Sequence, residues 1–482
     1  MDIKKAHFIG IGGVGMSATA KLLRDSGVSV TGSDEEVYPP ISTMLEQEHI
    51  AYASGYSASN IPADADVIVI GKNAKLVPEN NEEVAAAYES VQKNLPAGRR
   101  VMSFPEVLAE LSQDKQTIVV AGSYGKSTST ALLAHVLTSS GKDPSYLIGA
   151  VPAPPTGASG LSTPSSALGK GELFILEGDE YPASNTDPRS KFLLMHPQHL
   201  LLTPLAHDHF NIFPTPAEYL KPFYELLTLV PQGGTVAAST AGPLSQEFLQ
   251  HAARPVVTYG VHEGDFTAAN IVWGEHTTFT IMQAGKQLVD ITMSQLGEHN
   301  IENIVGVAAL LFTLGLVEPA AFAEAVASFK GIRRRLDKKS ESTLVPIFEG
   351  FGSSYDKLKS AIAAMKQHFP AKRLVVVFEP NTIGWRSRAT LSQYDDVFAG
   401  SSMVYIFNPP HDGKETQLST EEIASHVRAH STPAAAVSTP EQMLEMLEQD
   451  MDANDAILLS SSGAMGGLIE SIPHLAERKF PL

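Results

Sequence analysis

Two glycine-rich loops, each between an apolar strand and a helix, limit what this chain can fold into more than any other feature. The first loop spans residues 10–15 after AHFI, and the second spans residues 122–128 after TIVVA. Each unit reads strand, glycine loop, helix and closing glycine, an order typical of α/β proteins with a parallel sheet. Because the units begin more than a hundred residues apart, we predict that the loops belong to successive domains.

The length of the chain predicts three domains, since 482 residues correspond to that number at roughly 100–200 residues per domain. A polar patch after FPEVLAEL indicates the first boundary, and the basic run KGIRRRLDKK indicates the second. New strand–helix units follow, with a helix predicted from Tyr355 to His368. We therefore predict domains at residues 1–110, 111–330 and 331–482. The Pro-, Ser- and Gly-rich segment from Val151 to Gly171 predicts a mobile loop.

Composition excludes several classes of protein. A net charge of −18 argues against nucleic-acid and anionic-membrane partners, which need basic patches. The absence of cysteine excludes disulfides, thiolate zinc sites and cysteine nucleophiles. The first residues lack the pattern of a signal peptide, and no apolar run reaches the roughly 18 residues of a membrane helix. We expect a cytoplasmic protein.

The first loop matches the pattern G-x-G-x-x-G, whose glycines allow backbone N–H groups to approach a diphosphate at a helix N-terminus. These glycines are Gly10, Gly12, Gly13 and Gly15. Asp34 ends the next predicted strand, where an acidic side chain can bond a ribose hydroxyl. Taken alone, the loop fits a nicotinamide-dependent dehydrogenase, and a tight turn without a ligand is the alternative.

The second loop carries Gly125-Lys126-Ser127, the end of a phosphate-binding loop. The lysine would neutralise the β- and γ-phosphates of ATP, the serine hydroxyl would bind Mg²⁺, and backbone N–H groups would hold the phosphates. An ordinary turn with a solvated lysine is the alternative. Together, the two loops indicate an enzyme that binds a nucleotide-linked substrate in one domain and ATP in the next.

Polar residues at later strand and helix ends are candidates for the rest of the site. Carboxylates and imidazoles follow two apolar runs, and they predict a shell of ligands around Mg²⁺. Zinc is disfavoured because no clear third ligand stands out. The candidate ligands are Glu177, Asp179, Glu180, His207, Asp208 and His209. Asn300 and Asn303 share one face of a predicted helix start, where they either cap the helix or bond an adenine edge. The run Arg333, Arg334 and Arg335 is either a solvated hinge or a source of phosphate contacts.

The motifs GIGGVGMS, GSD, GxxGKST, EGDEY, LGEHNxxN and RRRLD occur in an order that resembles the Mur ligases of peptidoglycan synthesis, over nearly the whole chain. The resemblance implies a Rossmann-like N-terminal domain that binds a UDP-sugar, a P-loop ATPase central domain and a Rossmann-like C-terminal domain for the incoming amine. It implies that ATP, with Mg²⁺, activates the carboxylate of UDP-N-acetylmuramate as an acyl phosphate, which the amine attacks.

The resemblance also assigns roles residue by residue. The UDP-sugar would be bound by Gly10, Gly12, Gly13, Gly15, Ser33 and Asp34. ATP would be bound by Gly122, Ser123, Tyr124, Gly125, Lys126, Ser127, Thr128, Asn300, Asn303 and Arg335. The metal would be held by Ser127, Glu177 and His209, and the catalytic residues would be Lys126 and His209.

The identity of the acceptor amine depends on weaker signals. The stretches GSDEEVYPPISTMLEQ, IGAVP, PRSKF and SSGAMGG resemble the recycling branch of the family, the murein-peptide ligases, which add L-alanyl-γ-D-glutamyl-meso-diaminopimelate. Two family patterns are altered: alanine stands at Ala206 in place of a carboxylate, and EGFGSSY replaces the D-D-F/Y-x-H-H-P motif at residues 349–355. Four alternatives stay open: ligation of L-alanine, a different acceptor, a nicotinamide-dependent dehydrogenase and a non-catalytic nucleotide sensor.

Overall fold

The computed structural model describes residues 3–39, 41–153, 164–209, 212–340, 342–408 and 417–482. It contains three separate β-sheets, in chain order, with helices packed on them. The predicted α/β class with three domains is confirmed, and the exact boundaries stay predictions. Within these described ranges, no helix combines the length and apolarity that a membrane crossing needs.

The first sheet is parallel, with the strand order β3-β2-β1-β4-β5. Its elements are β1 Lys5–Ile9, α1 Val14–Asp25, β2 Ser29–Asp34, α2 Ile41–Gln47, β3 Ala51–Ser54, β4 Val67–Ile70, α3 Glu82–Gln92, β5 Arg100–Met102 and α4 Phe104–Ser112. Helices α1, α2 and α4 bury apolar side chains against one face and α3 against the other. The order reverses beside β1, so the first loop lies at the point where such sheets bind ligands.

The second sheet has ten strands, in the order β15-β14-β13-β12-β11-β10-β6-β9-β7-β8. Its first half contains β6 Gln116–Ala121, α5 Lys126–Ser139, β7 Ser145–Leu147, β8 Ser166–Ala167, β9 Leu173–Glu177, β10 His199–Leu202 and α6 Pro216–Leu229. Its second half contains β11 Val236–Ser239, α7 Ser245–Gln250, β12 Val257–Tyr259, β13 Phe266–Val272, β14 Thr277–Gln283, β15 Lys286–Met293, α8 Glu298–Thr313 and α9 Pro319–Ser328. Strand β6 lies between β10 and β9, which brings the ends of three parallel strands around the second loop.

The third sheet has the order β16-β17-β21-β18-β19-β20, and only its edge strand β16 is antiparallel. Its elements are β16 Arg335–Lys338, β17 Ile347–Gly350, α10 Tyr355–His368, β18 Arg373–Phe378, α11 Ile383–Arg386, β19 Met403–Phe407, α12 Thr420–Ala429, β20 Ala434–Val437, α13 Pro440–Asp450, β21 Asp455–Ser460 and α14 Leu468–Lys479. The helix predicted from Tyr355 to His368 is confirmed as α10.

Four short 3₁₀ helices complete the described elements, at Ala58–Asn60, Lys191–Leu194, Arg388–Tyr394 and Met465–Gly467. The loop predicted from Val151 to Gly171 contains β8, which pairs antiparallel with β7 and was not predicted. Residues 154–163 of that loop lie outside the described residues, so its predicted mobility stays a prediction.

Candidate active site at the two glycine-rich loops

Asp34, which was predicted to bond a ribose hydroxyl, holds the backbone of the first loop in place. The carboxylate of Asp34 accepts the backbone N–H of Gly12 at 2.7 Å and the hydroxyl of Tyr56 at 3.0 Å. A Cβ on Gly12 would lie 2.9 Å from the Oδ2 atom of Asp34, so a side chain here would displace this carboxylate or the loop. The backbone carbonyl of Ser33 accepts the N–H groups of Gly10 and Ile11. The structure thus shows Asp34 holding the loop, and its contact with a ribose stays a prediction.

A buried carboxylate beneath this loop was missed by the sequence analysis. Glu83 on α3 accepts hydrogen bonds at 2.7–3.0 Å from His7, Ser33, Asn60 and the backbone of Ser57. Burial raises the pKa of Glu83, yet these hydrogen bonds outweigh it and hold the pKa below its ordinary value. The Ser33 hydroxyl therefore points into the protein and positions the strand end.

In the second loop, Lys126 begins α5 and turns back over the loop. Its Nζ atom donates to the carbonyl oxygen of Gly122 at 2.5 Å and to Oε2 of Glu180 at 2.9 Å. The glycines are sterically required: a Cβ on Gly122 would lie 2.2 Å from Oγ1 of Thr203, and one on Gly125 would lie 2.4 Å from Oδ1 of Asn303. Both glycines also have positive φ, +135° and +83°.

Glu180 joins Lys126 to His209. The Nε2 atom of His209 lies 3.0 Å from Oε1 of Glu180, whose side chain is buried. The hydrogen bond with Glu180 raises the pKa of His209, and burial opposes this. The sequence analysis named Glu180 only as one of several carboxylates at a strand end, because the turn after β9 decides which of them faces the loop.

Ser127 and Glu177 form a second polar pair in the same place. The Ser127 hydroxyl donates to Oε1 of Glu177 at 2.8 Å, and the N–H of Gly149 donates to Oε2 at 2.6 Å. Burial raises the pKa of Glu177, while these donors and the charges of Lys126 and Arg335 lower it less strongly. A hydroxyl and a carboxylate are hard oxygen ligands, so this pair fits the chemistry of Mg²⁺. Exposed Arg335, at the start of β16, faces this carboxylate from the third sheet.

The remaining residues of the second loop have structural partners. The Ser123 hydroxyl donates to the carbonyl oxygen of Ala206, accepts the N–H of that same residue and contacts the hydroxyl of Tyr219, each at 2.7 Å. Thr128 is buried in α5, and Tyr124 is half exposed. His207, next to Ala206, has its Nε2 atom 2.7 Å from the carbonyl oxygen of Phe213. Ser123 thus connects the second loop to the backbone of Ala206, the residue that stands in place of the family carboxylate.

Asn300 and Asn303 are buried beneath the second loop. Asn300 donates to the carbonyl oxygen of Leu296 at 2.8 Å, and Asn303 donates to Asn300 at 3.2 Å. The alternative that they cap α8 is wrong, because Gly297 is the N-cap and the two amides bond to Leu296 and to each other instead. Their predicted contact with adenine stays a prediction.

Cations gather on the third sheet where the family motif is replaced. The ring of Phe351 lies 5.2 Å from the guanidinium of Arg334 and 5.6 Å from Nζ of Lys357. Lys357 also donates to the Ser353 hydroxyl at 3.1 Å. Burial lowers the pKa of Lys357, and the positive charge of Arg335 lowers it further, so these cations share one region. The sequence analysis recorded the replaced motif and missed this cluster.

The two loops are linked by a short series of contacts. The N–H of Gly71 donates to the carbonyl oxygen of Ile9, which places Lys72 beside the first loop. The Nζ atom of Lys72 lies 5.3 Å from the ring centre of Tyr181, and that ring meets the His209 ring edge-on at 4.3 Å. Since His209 belongs to the group around the second loop, these contacts connect the segment beside the first loop with the second loop.

Comparison with known proteins agrees with this arrangement. The Mur ligase family catalytic domain matches residues 5–116, the Mur ligase middle domain matches residues 120–311, and the Mur ligase glutamate ligase domain matches residues 334–463. A UDP-N-acetylmuramate–L-alanine ligase of Chlorobium phaeovibrioides is 31% identical over 84% of this chain and 81% of its own. The UDP-N-acetylmuramate–L-alanyl-gamma-D-glutamyl-meso-2,6-diaminoheptandioate ligase of Escherichia coli is 29% identical over 97% of each chain.

Among solved structures, a UDP-N-acetylmuramate–alanine ligase from Thermotoga maritima superposes with a TM-score of 0.74. It is 22% identical and covers 98% of this chain and 99% of its own, so it supports the fold. Three consecutive domain matches and a 31% identical relative over most of both chains establish the family. The chain therefore belongs to the Mur ligase family and is an ATP-dependent amino-acid ligase.

Proposed function

We propose that the chain joins UDP-N-acetylmuramate to the peptide L-alanyl-γ-D-glutamyl-meso-diaminopimelate, at the expense of ATP and with Mg²⁺. The observation that carries the proposal is the contact series from the first loop through Tyr181 and His209 to the second loop. A ligase of this kind must bring the carboxylate of one bound nucleotide to the terminal phosphate of another.

The residues of the second loop have distinct parts in this reaction. Lys126 would leave Glu180 to contact the β- and γ-phosphates, because a phosphate is the stronger charge partner. Mg²⁺, held by Ser127, Glu177 and His209, would supply charge neutralisation during phosphoryl transfer. Glu180 would keep Lys126 and His209 aligned before ATP enters.

The first loop would bind without taking part in the chemistry. Gly12 is already committed to Asp34, so N–H groups of the first turn of α1 are the ones that would meet the diphosphate of the UDP-sugar. Gly10, Gly13 and Gly15 would let the phosphates approach the backbone closely. Lys72 lies between this loop and the second, where the carboxylate to be activated would be placed.

The peptide acceptor is favoured over L-alanine by the cations of the third sheet. The tripeptide carries several carboxylates, whereas L-alanine carries one. Arg334 and Lys357 both contact the ring of Phe351, which lies in the stretch that replaces the family motif, and they would bind such an anionic peptide. The recycling-branch stretches of the sequence support the same choice.

L-Alanine ligation is the second candidate, because the relative that is 31% identical has that activity in its name. An assay of phosphate release with ATP, Mg²⁺ and UDP-N-acetylmuramate separates the two. We expect phosphate release with the tripeptide and little with L-alanine. Release with L-alanine alone would contradict the proposal, and binding of both nucleotides without turnover would indicate a sensor.

A further inference from the structure

Away from the two loops, the third domain carries two histidines and an aspartate whose ligand atoms approach one another. His426 and His430 are one helical turn apart on α12 and at its C-terminal end, and Asp395 directly follows the 3₁₀ helix Arg388–Tyr394. One nitrogen of each ring and one oxygen of Asp395 lie within 4.8 Å of one another. We propose that these side chains bind a divalent transition-metal ion, with Zn²⁺ as the best match.

The distances are close to those that a metal ion requires. The Oδ1 atom of Asp395 lies 2.7 Å from Nε2 of His426 and 3.5 Å from Nε2 of His430. Ligands about 2.0–2.1 Å from a tetrahedral Zn²⁺ are separated by about 3.3 Å. The pair of Asp395 and His430 therefore already has about the required spacing. The pair of Asp395 and His426 reaches it by a small rotation of partly exposed side chains. Two imidazoles and a carboxylate are ligands that suit Zn²⁺.

A simple ion pair with Asp395 would not require the orientation that the His430 ring has. Its Nδ1 atom lies 2.9 Å from the backbone carbonyl oxygen of His426, which accepts a hydrogen from an N–H. Nδ1 therefore donates to this carbonyl, and Nε2 is the nitrogen that faces Asp395, where it can serve as a metal ligand. Metal-binding histidines commonly donate their second nitrogen to a carbonyl in this way. An ion pair of His426 with Asp395 would need no second, aligned ring.

The charge around the cluster suits a cation. The neighbouring cations are paired, Arg388 with Glu422 and Lys359 with Asp396, each at 2.7 Å. The C-terminal end of α12 adds the negative end of a helix dipole. The side chains of His426, His430 and Asp395 are 22%, 39% and 46% exposed, so an ion can enter and water can take a fourth position.

A bound ion would join α12 to the segment that follows the 3₁₀ helix and would stabilise the folded third domain, because a metal that binds the folded state favours it. The site is independent of the proposed ligase reaction, so its test needs no substrate.

The test uses the full chain, freed of metal with a chelator and then titrated with Zn²⁺ in a calorimeter. We expect the double variant His426→Ala/His430→Ala to lose one binding equivalent. The single variant His430→Ala should bind at that site at least ~10-fold more weakly, since even outer partners of metal ligands matter that much. His474→Ala is the matched control, because His474 is 80% exposed on α14 and outside the cluster.

Thermal unfolding gives a second readout. Zn²⁺ should raise the Tm of the unaltered chain and of His474→Ala but not that of the double variant, while all three share one Tm in chelator. That shared Tm shows that the double variant folds. Equal Zn²⁺ stoichiometry and affinity in the double variant and the unaltered chain would overturn the proposal, as would a lack of Zn²⁺ binding by the unaltered chain.

Discussion

Both glycine-rich loops join a parallel strand to a helix, but acids are used differently around them. At the first loop, Asp34 accepts an N–H of the loop itself and so fixes the backbone. At the second loop, the Ser123 hydroxyl fixes the backbone, and Glu180 instead neutralises Lys126. We therefore expect the first loop to bind a phosphate through its fixed backbone, and the second to act through the charge of Lys126 in phosphoryl transfer. Four substitutions test this difference.

The largest effect is expected from Lys126→Ala. Loss of the cation that meets the transferred phosphoryl group should lower kcat by about 10²–10³-fold, as for other groups that stabilise charge in a transition state. KM for the UDP-sugar should change little. Steady-state phosphate release measures both, with Lys170→Ala as the control because Lys170 is exposed on the same domain. A near-normal kcat in Lys126→Ala would contradict the claim that the second loop, unlike the first, acts in phosphoryl transfer.

Glu180→Gln should have a smaller effect. Lys126 keeps its charge but loses the partner that aligns it before ATP enters. Such a charged hydrogen bond is worth about 1.5–3 kcal/mol, so we expect kcat/KM for ATP to fall by roughly 10–100-fold. The pKa of His209 should also drop toward its ordinary value of 6.5, because its bond to Glu180 raises it. An NMR titration of the His209 ring measures this shift, and an unchanged pKa would contradict the pairing.

The sign of the stability effect of this pair follows from the raised pKa. Protonated His209 stabilises the fold most fully below pH 6.5, and this contribution is lost as the pH rises through the raised pKa. The unaltered chain and Glu180→Gln should differ in free energy of unfolding. The share of this difference that comes from His209 should shrink as the pH rises over the same range. Urea unfolding at several pH values measures it.

Gly12→Ala should affect the first loop alone. The added Cβ would lie 2.9 Å from the Asp34 carboxylate, so the hydrogen bond between Asp34 and the loop must be disturbed. We expect KM for the UDP-sugar to rise by about 10-fold, the equivalent of roughly 1.4 kcal/mol, with KM for ATP unchanged. Gly233→Ala is the control, because Gly233 lies in neither loop and its Cβ would meet nothing within 4 Å. An equal effect of both variants would show that the Asp34 brace is irrelevant.

Asp34→Asn should have the smallest effect. Asparagine still offers an oxygen to Gly12 but without the charge, a difference of about 1 kcal/mol. KM for the UDP-sugar should then rise by roughly 5-fold, and kcat should stay constant. A large loss of kcat would place Asp34 in the chemistry and would contradict its role as a brace.

Much of the fold was predictable because its signals are local. The strands and helices around both loops follow from apolar runs closed by glycine, and the structure confirms them. The helix predicted from Tyr355 to His368 is confirmed as well. The antiparallel strands β14 and β15 were not predicted, because their half-exposed polar residues form strands only by pairing with their neighbours.

The site was predictable where a motif fixes the backbone and not where partners come from distant segments. The loops and the Ser127–Glu177 pair follow motifs. Glu83 and His7 are 76 residues apart, and Glu180 depends on the turn after β9. Lys357 comes near Arg334 only when the third sheet forms, because both cations contact the ring of Phe351. A pattern within one segment of the sequence cannot predict contacts of this kind.

The most direct test of the central claim is a crystal structure with ADP and UDP-N-acetylmuramate bound together. We predict the ADP phosphates at residues 122–128 with Lys126 turned away from Glu180, and the UDP diphosphate at residues 10–15, with Lys72 and Tyr181 between them. A structure in which either loop is unoccupied, or in which the two ligands enter from opposite sides, would contradict the account.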